Sequence, residues 1–285
     1  MPGPVRETEL AMAMGAWRVS SAVPDADLVG LVEEYWEVEG TLNAFRETLL
    51  PNGFVEVMVN LGPSHRVVDD AGSTTWDRAW FSGLQEHSLI IESLNGTHLV
   101  SARLHPLGAA ELLGQTVASV ANSIVDLEVL VGQAAEELRG RLLAASSPAA
   151  RFALLETFLR ERRATGQPSP HFVREAATRI ELAHGTVRVA TLHAELGISR
   201  KHLAVSFTRA FGLSAKTYAM IQRFVWTLQR LRESTAVDWT KLAAEAGYSD
   251  QSHLVREFRR IGAASPTDYL RRWSPDGTAL VYELE

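Results

Sequence analysis

The chain has 285 residues, 46% of them hydrophobic and 22% charged, with a net charge of −6. Such a chain can fill one large domain or two ordinary ones, and the composition excludes a disordered, collagen-like or coiled-coil protein. The absence of cysteine excludes disulfides, thiolate metal sites and a cysteine nucleophile. No apolar run approaches the roughly 18 residues of a membrane helix. The first ten residues lack a basic start followed by an apolar stretch, so a cytoplasmic protein without membrane contact is expected.

The first hundred residues read as β-rich. Phe54 to Leu61 alternates apolar and polar residues after the turn Pro51-Asn-Gly53, and Leu89–Ile91 and His98–Leu104 read as further strands. Gly62-Pro63 and Asp69 to Gly72 are turn signals. This pattern predicts a small barrel or a sandwich. After Pro106 the spacing becomes helical, over Ala109–Leu113, Val129–Ala145 and Ala149–Arg163. Residues 164–170, with two prolines and a glycine, read as a linker. From there to Trp273 the pattern is helical, and the tail from Ser274 carries no signal.

Charge follows the same division. Pro170 to Trp273 holds 16 Lys and Arg against 9 Asp and Glu, a balance of +7, while the remainder holds 12 against 25. A basic part joined to an acidic part points to an anionic partner for one of them.

The basic part contains a repeat. Leu192-His-Ala-Glu-Leu-Gly-Ile-Ser199 lies over Leu242-Ala-Ala-Glu-Ala-Gly-Tyr-Ser249 at an offset of 50. After one extra residue the match resumes at 51, pairing Leu203 with Leu254, Phe207 with Phe258, Arg209 with Arg260, Ser214 with Ser265 and Tyr218 with Tyr269. Each copy reads as a short helix ended by glycine, a serine N-cap, and a second helix with Leu and Phe inward. That is helix-turn-helix grammar, in which the second helix enters the DNA major groove. Ser214 to Glu233 reads as one helix of about 30 Å, long enough to hold two reading helices about one DNA turn apart. It carries Lys216, Arg223, Arg230 and Arg232.

On these residues, above all Leu242 to Arg260 followed by Ser265-Pro-Thr-Asp-Tyr269, the chain resembles the AraC/XylS family of bacterial transcription regulators over about 100 residues. A weaker likeness lies in Leu50-Pro-Asn-Gly53 and Arg103 to Gly108. The resemblance implies two helix-turn-helix subdomains joined by a long helix, plus a separate sensing or dimerisation domain. Four positions depart from the family pattern: His193, Val205, Ala215 and Ala263. Val205 replaces a commonly polar or basic residue, which weakens the base contacts expected of the first reading helix.

The candidate DNA-binding residues are Arg200, Lys201 and His202 in the first reading helix and Gln251, Ser252, His253 and Arg256 in the second. Arg and Lys suit guanine or phosphate, Gln suits adenine, and Ala204 offers only apolar contact, as to a thymine methyl. Leu203, Phe207, Tyr218, Leu254, Phe258 and Tyr269 read as core, and Trp226, Trp239 and Trp273 as packing anchors.

The chain is thus expected to be α+β: residues 1–112 a β-rich sensing domain, 113–163 a helical connector and candidate dimerisation element, 164–170 a linker, 171–273 an all-α double helix-turn-helix domain, and 274–285 a tail. The expected function is a sequence-specific transcription regulator controlled by a small molecule or partner at the N-terminal domain. Duplex DNA is the expected partner, with an effector, RNA polymerase and a second copy as further candidates. Trp36, Phe45, Phe54, Trp76, Trp80 and Phe81 are candidates to line an apolar pocket or simply to fill a β core. Two alternatives remain: a metal-dependent small-barrel enzyme fused to the DNA-binding part, using His65, His87, His98, His105, Glu56 and Glu92, or an N-terminal domain that only dimerises. No His-x-His pair or helical His-Glu-x-x-His supports the enzyme, so no catalytic residue, metal or cofactor is assigned.

Overall fold

The computed structural model describes residues 1–12, 15–42, 45–69, 72–93, 96–163, 168–234, 236–272 and 279–283. The chain opens with ten strands, β1 (Arg6–Met12), β2 (Gly15–Ala22), β3 (Val32–Leu42), β4 (Phe45–Leu49), β5 (Val55–Asn60), β6 (His65–Asp69), β7 (Gly72–Trp76), β8 (Ala79–Ser82), β9 (Leu89–Ser93) and β10 (Thr97–Leu104). Helix α1 (Pro106–Leu113), a 3-10 turn (Gln115–Val120) and a short strand β11 (Ile124–Asp126) follow. Next come α2 (Leu127–Val131), α3 (Ala134–Ala144) and α4 (Pro148–Arg163). The helical part holds α5 (His171–Leu182), α6 (Val189–Glu195), α7 (Arg200–Phe211), α8 (Ala215–Glu233), α9 (Trp239–Glu245), α10 (Gln251–Gly262) and α11 (Pro266–Arg272). A last strand, β12 (Ala279–Glu283), closes the described chain.

The strands form two antiparallel sheets, a seven-stranded one in the order β1-β2-β3-β10-β5-β8-β11 and a five-stranded one in the order β12-β4-β9-β6-β7. Successive side chains on a strand point to opposite faces, and the large sheet uses both. On β3, Tyr35 and Glu37 face the helices: Tyr35 stacks on Phe152 of α4 at 6.1 Å, and Glu37 pairs with Arg151. Trp36 and Val38 face the small sheet instead. Val57, Val59, Phe81, Val100 and Ala102 continue the helix-facing core. This two-sided burial explains why β5 and β10 show mostly buried residues rather than clean alternation.

Three expectations change. The helical run Val129–Ala145 is two helices, because Gly132 adopts φ +63°, ψ −151°, which no helix contains. The connector 113–163 is not wholly helical either, since β11 pairs with β8 and extends the large sheet. The tail carries structure: β12 runs antiparallel to β4, with Ala279 opposite Leu49 and Glu283 opposite Phe45. Residues 164–167 of the expected linker, part of the Asp69–Gly72 turn and Trp273 lie outside the described residues. Pro170 caps the N-terminal end of α5.

The core is shared unequally. One cluster runs from Leu28 and Tyr35 through α1 and α4 into Phe207, Phe211, Tyr218 and Ile221, so the first helix-turn-helix unit grows out of the N-terminal core. A second cluster, holding Phe224, Leu254, Phe258 and Tyr269, takes Leu50 as its one buried N-terminal residue.

Candidate nucleic-acid interface and inter-sheet cavity

Both repeat copies fold as helix, tight turn, helix. Gly197 and Gly247 take φ +67° and +73° after α6 and α9, the left-handed conformation that ends a helix cheaply only at glycine. In the first copy Ser199 caps α7, accepting the His202 N–H at 3.2 Å, as expected. In the second the cap passes to Asp250, which accepts the His253 N–H at 2.7 Å, and Ser249 donates its hydroxyl to Asp250 at 3.1 Å. The one-residue slip between the copies falls at this cap. The His253 N–H and the Ser249 hydroxyl hold the Asp250 carboxyl below the usual carboxylate range.

Leu203, Phe207, Leu254, Phe258, Tyr218 and Tyr269 are buried, as the repeat predicts. Arg200, Lys201 and His202 are exposed on α7, and Gln251, Ser252 and Arg256 on α10. His202 lays an edge on Phe172 at 4.7 Å. His253 is half-buried and takes the Ser249 N–H on Nδ1 at 3.3 Å, so that nitrogen is engaged locally. Trp226 stacks on His184 at 5.7 Å, and Trp239 packs partly buried on the second core.

The basic residues of α8 divide. Arg223 turns inward, donating to both Glu257 oxygens of α10 at 3.1 and 3.2 Å and lying over the Tyr248 ring at 4.8 Å. Arg230 pairs with Glu233, and Lys216 is exposed.

Between the sheets lies a cavity of about 590 Å³. Trp17, Trp36, Met58, Trp76, Trp80 and Leu99 form apolar walls. At one end Arg103 donates to Glu56 at 3.0 Å and pairs with Glu34, while Asn52 and Ser101 hydrogen-bond Glu56 at 3.2 and 3.1 Å. Deeper in, His65 shares a 2.7 Å hydrogen bond with Ser93, and burial pushes its pKa down to about 4, so the ring is neutral. Val225, Leu228 and Arg232 of α8 complete the lining, so the helix joining the two units also walls the cavity.

Of the aromatic candidates, Trp36, Phe54, Trp76 and Trp80 line the cavity, whereas Phe81 faces the helices in the main core. The Phe45 side chain is outside the described ones. Trp17, Glu34, Arg103 and Arg232 were not anticipated; alternation along β2, β3 and β10 was the signal for the first three. The histidines proposed for a metal disperse. His98 Nε2 donates to Glu37 at 2.9 Å, His105 Nε2 to Glu181 at 2.8 Å, and His87 Nδ1 to the Arg260 carbonyl at 3.1 Å. Among the described residues Glu37, Glu39 and His98 bring three ligand atoms within 4.8 Å of one another. Burial pulls the Glu37 carboxyl up, but His98 and the two-armed Arg151 outweigh it and hold it below the usual range, with both oxygens occupied. No described helix is long and apolar enough to cross a membrane.

A family model described as a helix-turn-helix domain matches residues 192–272, and a domain of unknown function, DUF6597, matches 20–126. No curated protein matches the sequence. Among solved structures, ToxT from Vibrio cholerae aligns over 83% of this chain and 98% of its own, at 11% identity and a TM-score of 0.48. The AraC-like transcriptional activator CuxR aligns over 85% and 90%, at 16% identity and a TM-score of 0.32.

Proposed function

We propose that the chain is an AraC-type helix-turn-helix regulator of transcription, and that a small molecule seated between its two sheets controls how it meets DNA. The observation that carries this reading is the double use of α8. Its Val225, Leu228 and Arg232 line the cavity, while its two ends carry the two helix-turn-helix units. A ligand that moves this helix changes the relation between the reading helices, and so its affinity is coupled to that of DNA.

The reading residues proposed are Arg200, Lys201 and His202 on α7 and Gln251, Ser252, His253 and Arg256 on α10. Arg256 and Gln251 are proposed for base edges, and Lys201 for phosphate. We read the chain as a regulator and not an enzyme. RNA polymerase is proposed as a further partner, and a second copy as another, supported by Val129 of α2 and Leu143 of α3, which are 70% and 50% exposed.

A thermal-shift screen of the full chain with small apolar and aromatic compounds tests the control. A compound that stabilises the chain is expected to change its affinity for a selected duplex. Met58→Trp, which narrows the cavity, is expected to weaken both effects while DNA binding remains. If stabilising compounds leave DNA affinity untouched, the cavity is not a control site.

A further inference from the structure

We propose that Val205 is a specificity-determining residue that reads the methyl group of a thymine in the major groove. This rests on the reading of α7 as a major-groove helix. The repeat sets the register: with Leu203 over Leu254 and Phe207 over Phe258, Val205 holds in α7 the place that Arg256 holds in α10. Both are exposed, on the side opposite the buried Leu203, Phe207, Ala210 and Phe211 in one helix and Leu254, Phe258 and Ile261 in the other.

Val205 is 60% exposed, one of the few large apolar side chains the fold leaves in water. A single exposed valine on an arbitrary surface needs no explanation. This one stands at the centre of the outward face of a helix built like its DNA-reading partner. Ala204 is exposed beside it, and the exposed Thr208 lies one turn further on. The cations Arg200, Lys201 and Arg209 flank the apolar pair Ala204 and Val205 and suit the phosphates on either side. The surface made by Ala204 and Val205 has no side-chain hydrogen-bonding group and cannot distinguish bases by donors and acceptors. It can distinguish them by the C5-methyl group, which in the major groove belongs to thymine alone. The departure at 205 thus changes what the first unit reads, where the sequence alone suggested a weaker reader. The second unit reads by hydrogen bonds and the first by a methyl contact.

Deoxyuridine differs from thymidine by that methyl only. The full chain is used to select a duplex, each thymine is then replaced singly by deoxyuridine, and Kd is measured. At one thymine the wild-type chain is expected to lose affinity about fourfold, the worth of one methyl removed from water. In Val205→Ser that loss is expected to vanish, in Val205→Ala to shrink, and in Arg256→Ala to persist. Because Val205 is exposed, the melting temperatures of both variants are expected to match the wild type. The proposal is overturned if no thymine shows a loss, if the selected site has no thymine under α7, or if folded Val205→Ser keeps the full discrimination. Failure of the wild-type chain to bind any duplex would instead sink the DNA reading on which the proposal stands.

Discussion

The first helix-turn-helix unit closes its reading helix on Gly212, at φ +73°, and the second closes the matching turn on Ala263, at φ +54°. Both positions are left-handed, where glycine costs least. A Cβ on Gly212 would sit 2.1 Å from the Ala118 carbonyl oxygen in the 3-10 turn, whereas Ala263 is exposed. Glycine stands where the N-terminal half presses on the turn, and alanine stands where only water does.

The same contrast runs through the wiring. In the first unit Glu181 accepts the Tyr218 hydroxyl at 2.7 Å and also His105 from the N-terminal half. In the second unit Glu257 is held by Arg223 of α8, inside the helical part. The second unit meets the N-terminal half through Leu50, the Ser88 N–H on the Ile261 carbonyl at 2.8 Å, and His87 on the Arg260 carbonyl. The first unit is therefore rooted in the core of the N-terminal half, whereas the second is tied to that half by Leu50, by these two loop contacts and, beyond α11, by the pairing of β12 with β4.

The largest effect is expected at the root. Gly212→Ala adds a methyl against a backbone carbonyl in a left-handed turn, and it is expected to cost about 3 kcal/mol or more, read as a shift in the urea midpoint. If the loss is below about 1 kcal/mol, the 3-10 turn yields, and the first unit is no more firmly seated than the second.

At the tips of the units the effects are smaller and concern DNA. Arg256→Ala is expected to cost about 1–3 kcal/mol on the selected duplex and little on a scrambled one, as for the loss of a bidentate base contact. Lys201→Ala is expected to weaken both duplexes alike and to lower the salt slope by about one unit. Equal losses on both duplexes for Arg256→Ala would make it a phosphate clamp, and the second unit would lose its place as the hydrogen-bonding reader.

The smallest effect has the opposite sign. Ala263→Gly relieves a left-handed alanine and is expected to stabilise the chain by about 1 kcal/mol, less the entropy that glycine adds to the unfolded state. Calorimetric melting checks it, and a fall in Tm as large as Ala→Gly gives at an ordinary exposed loop position would show that Ala263 is not strained.

The sequence by itself determined the helical part. Glycine and serine at fixed spacing, and Leu and Phe at helical intervals, act within one or two turns of chain. Two copies side by side therefore exposed the caps, the core residues and the outward faces. Even the extra residue between the copies was visible, although only hydrogen bonding decided that Asp250 and not Ser249 takes the second cap. The N-terminal half was legible mainly where strands alternate or run apolar, as in β5 and β10. Its cavity was not, because Trp36 of β3 faces His65 and Trp76 of the β6–β7 hairpin only once the two sheets pack, and an inward aromatic reads the same whether it fills a core or lines a chamber. The tail strand was silent for the same reason: β12 is defined by its register with β4, more than 200 residues earlier. The shared role of α8 was likewise a tertiary decision, since Val225, Leu228 and Arg232 become cavity wall only when the two halves pack.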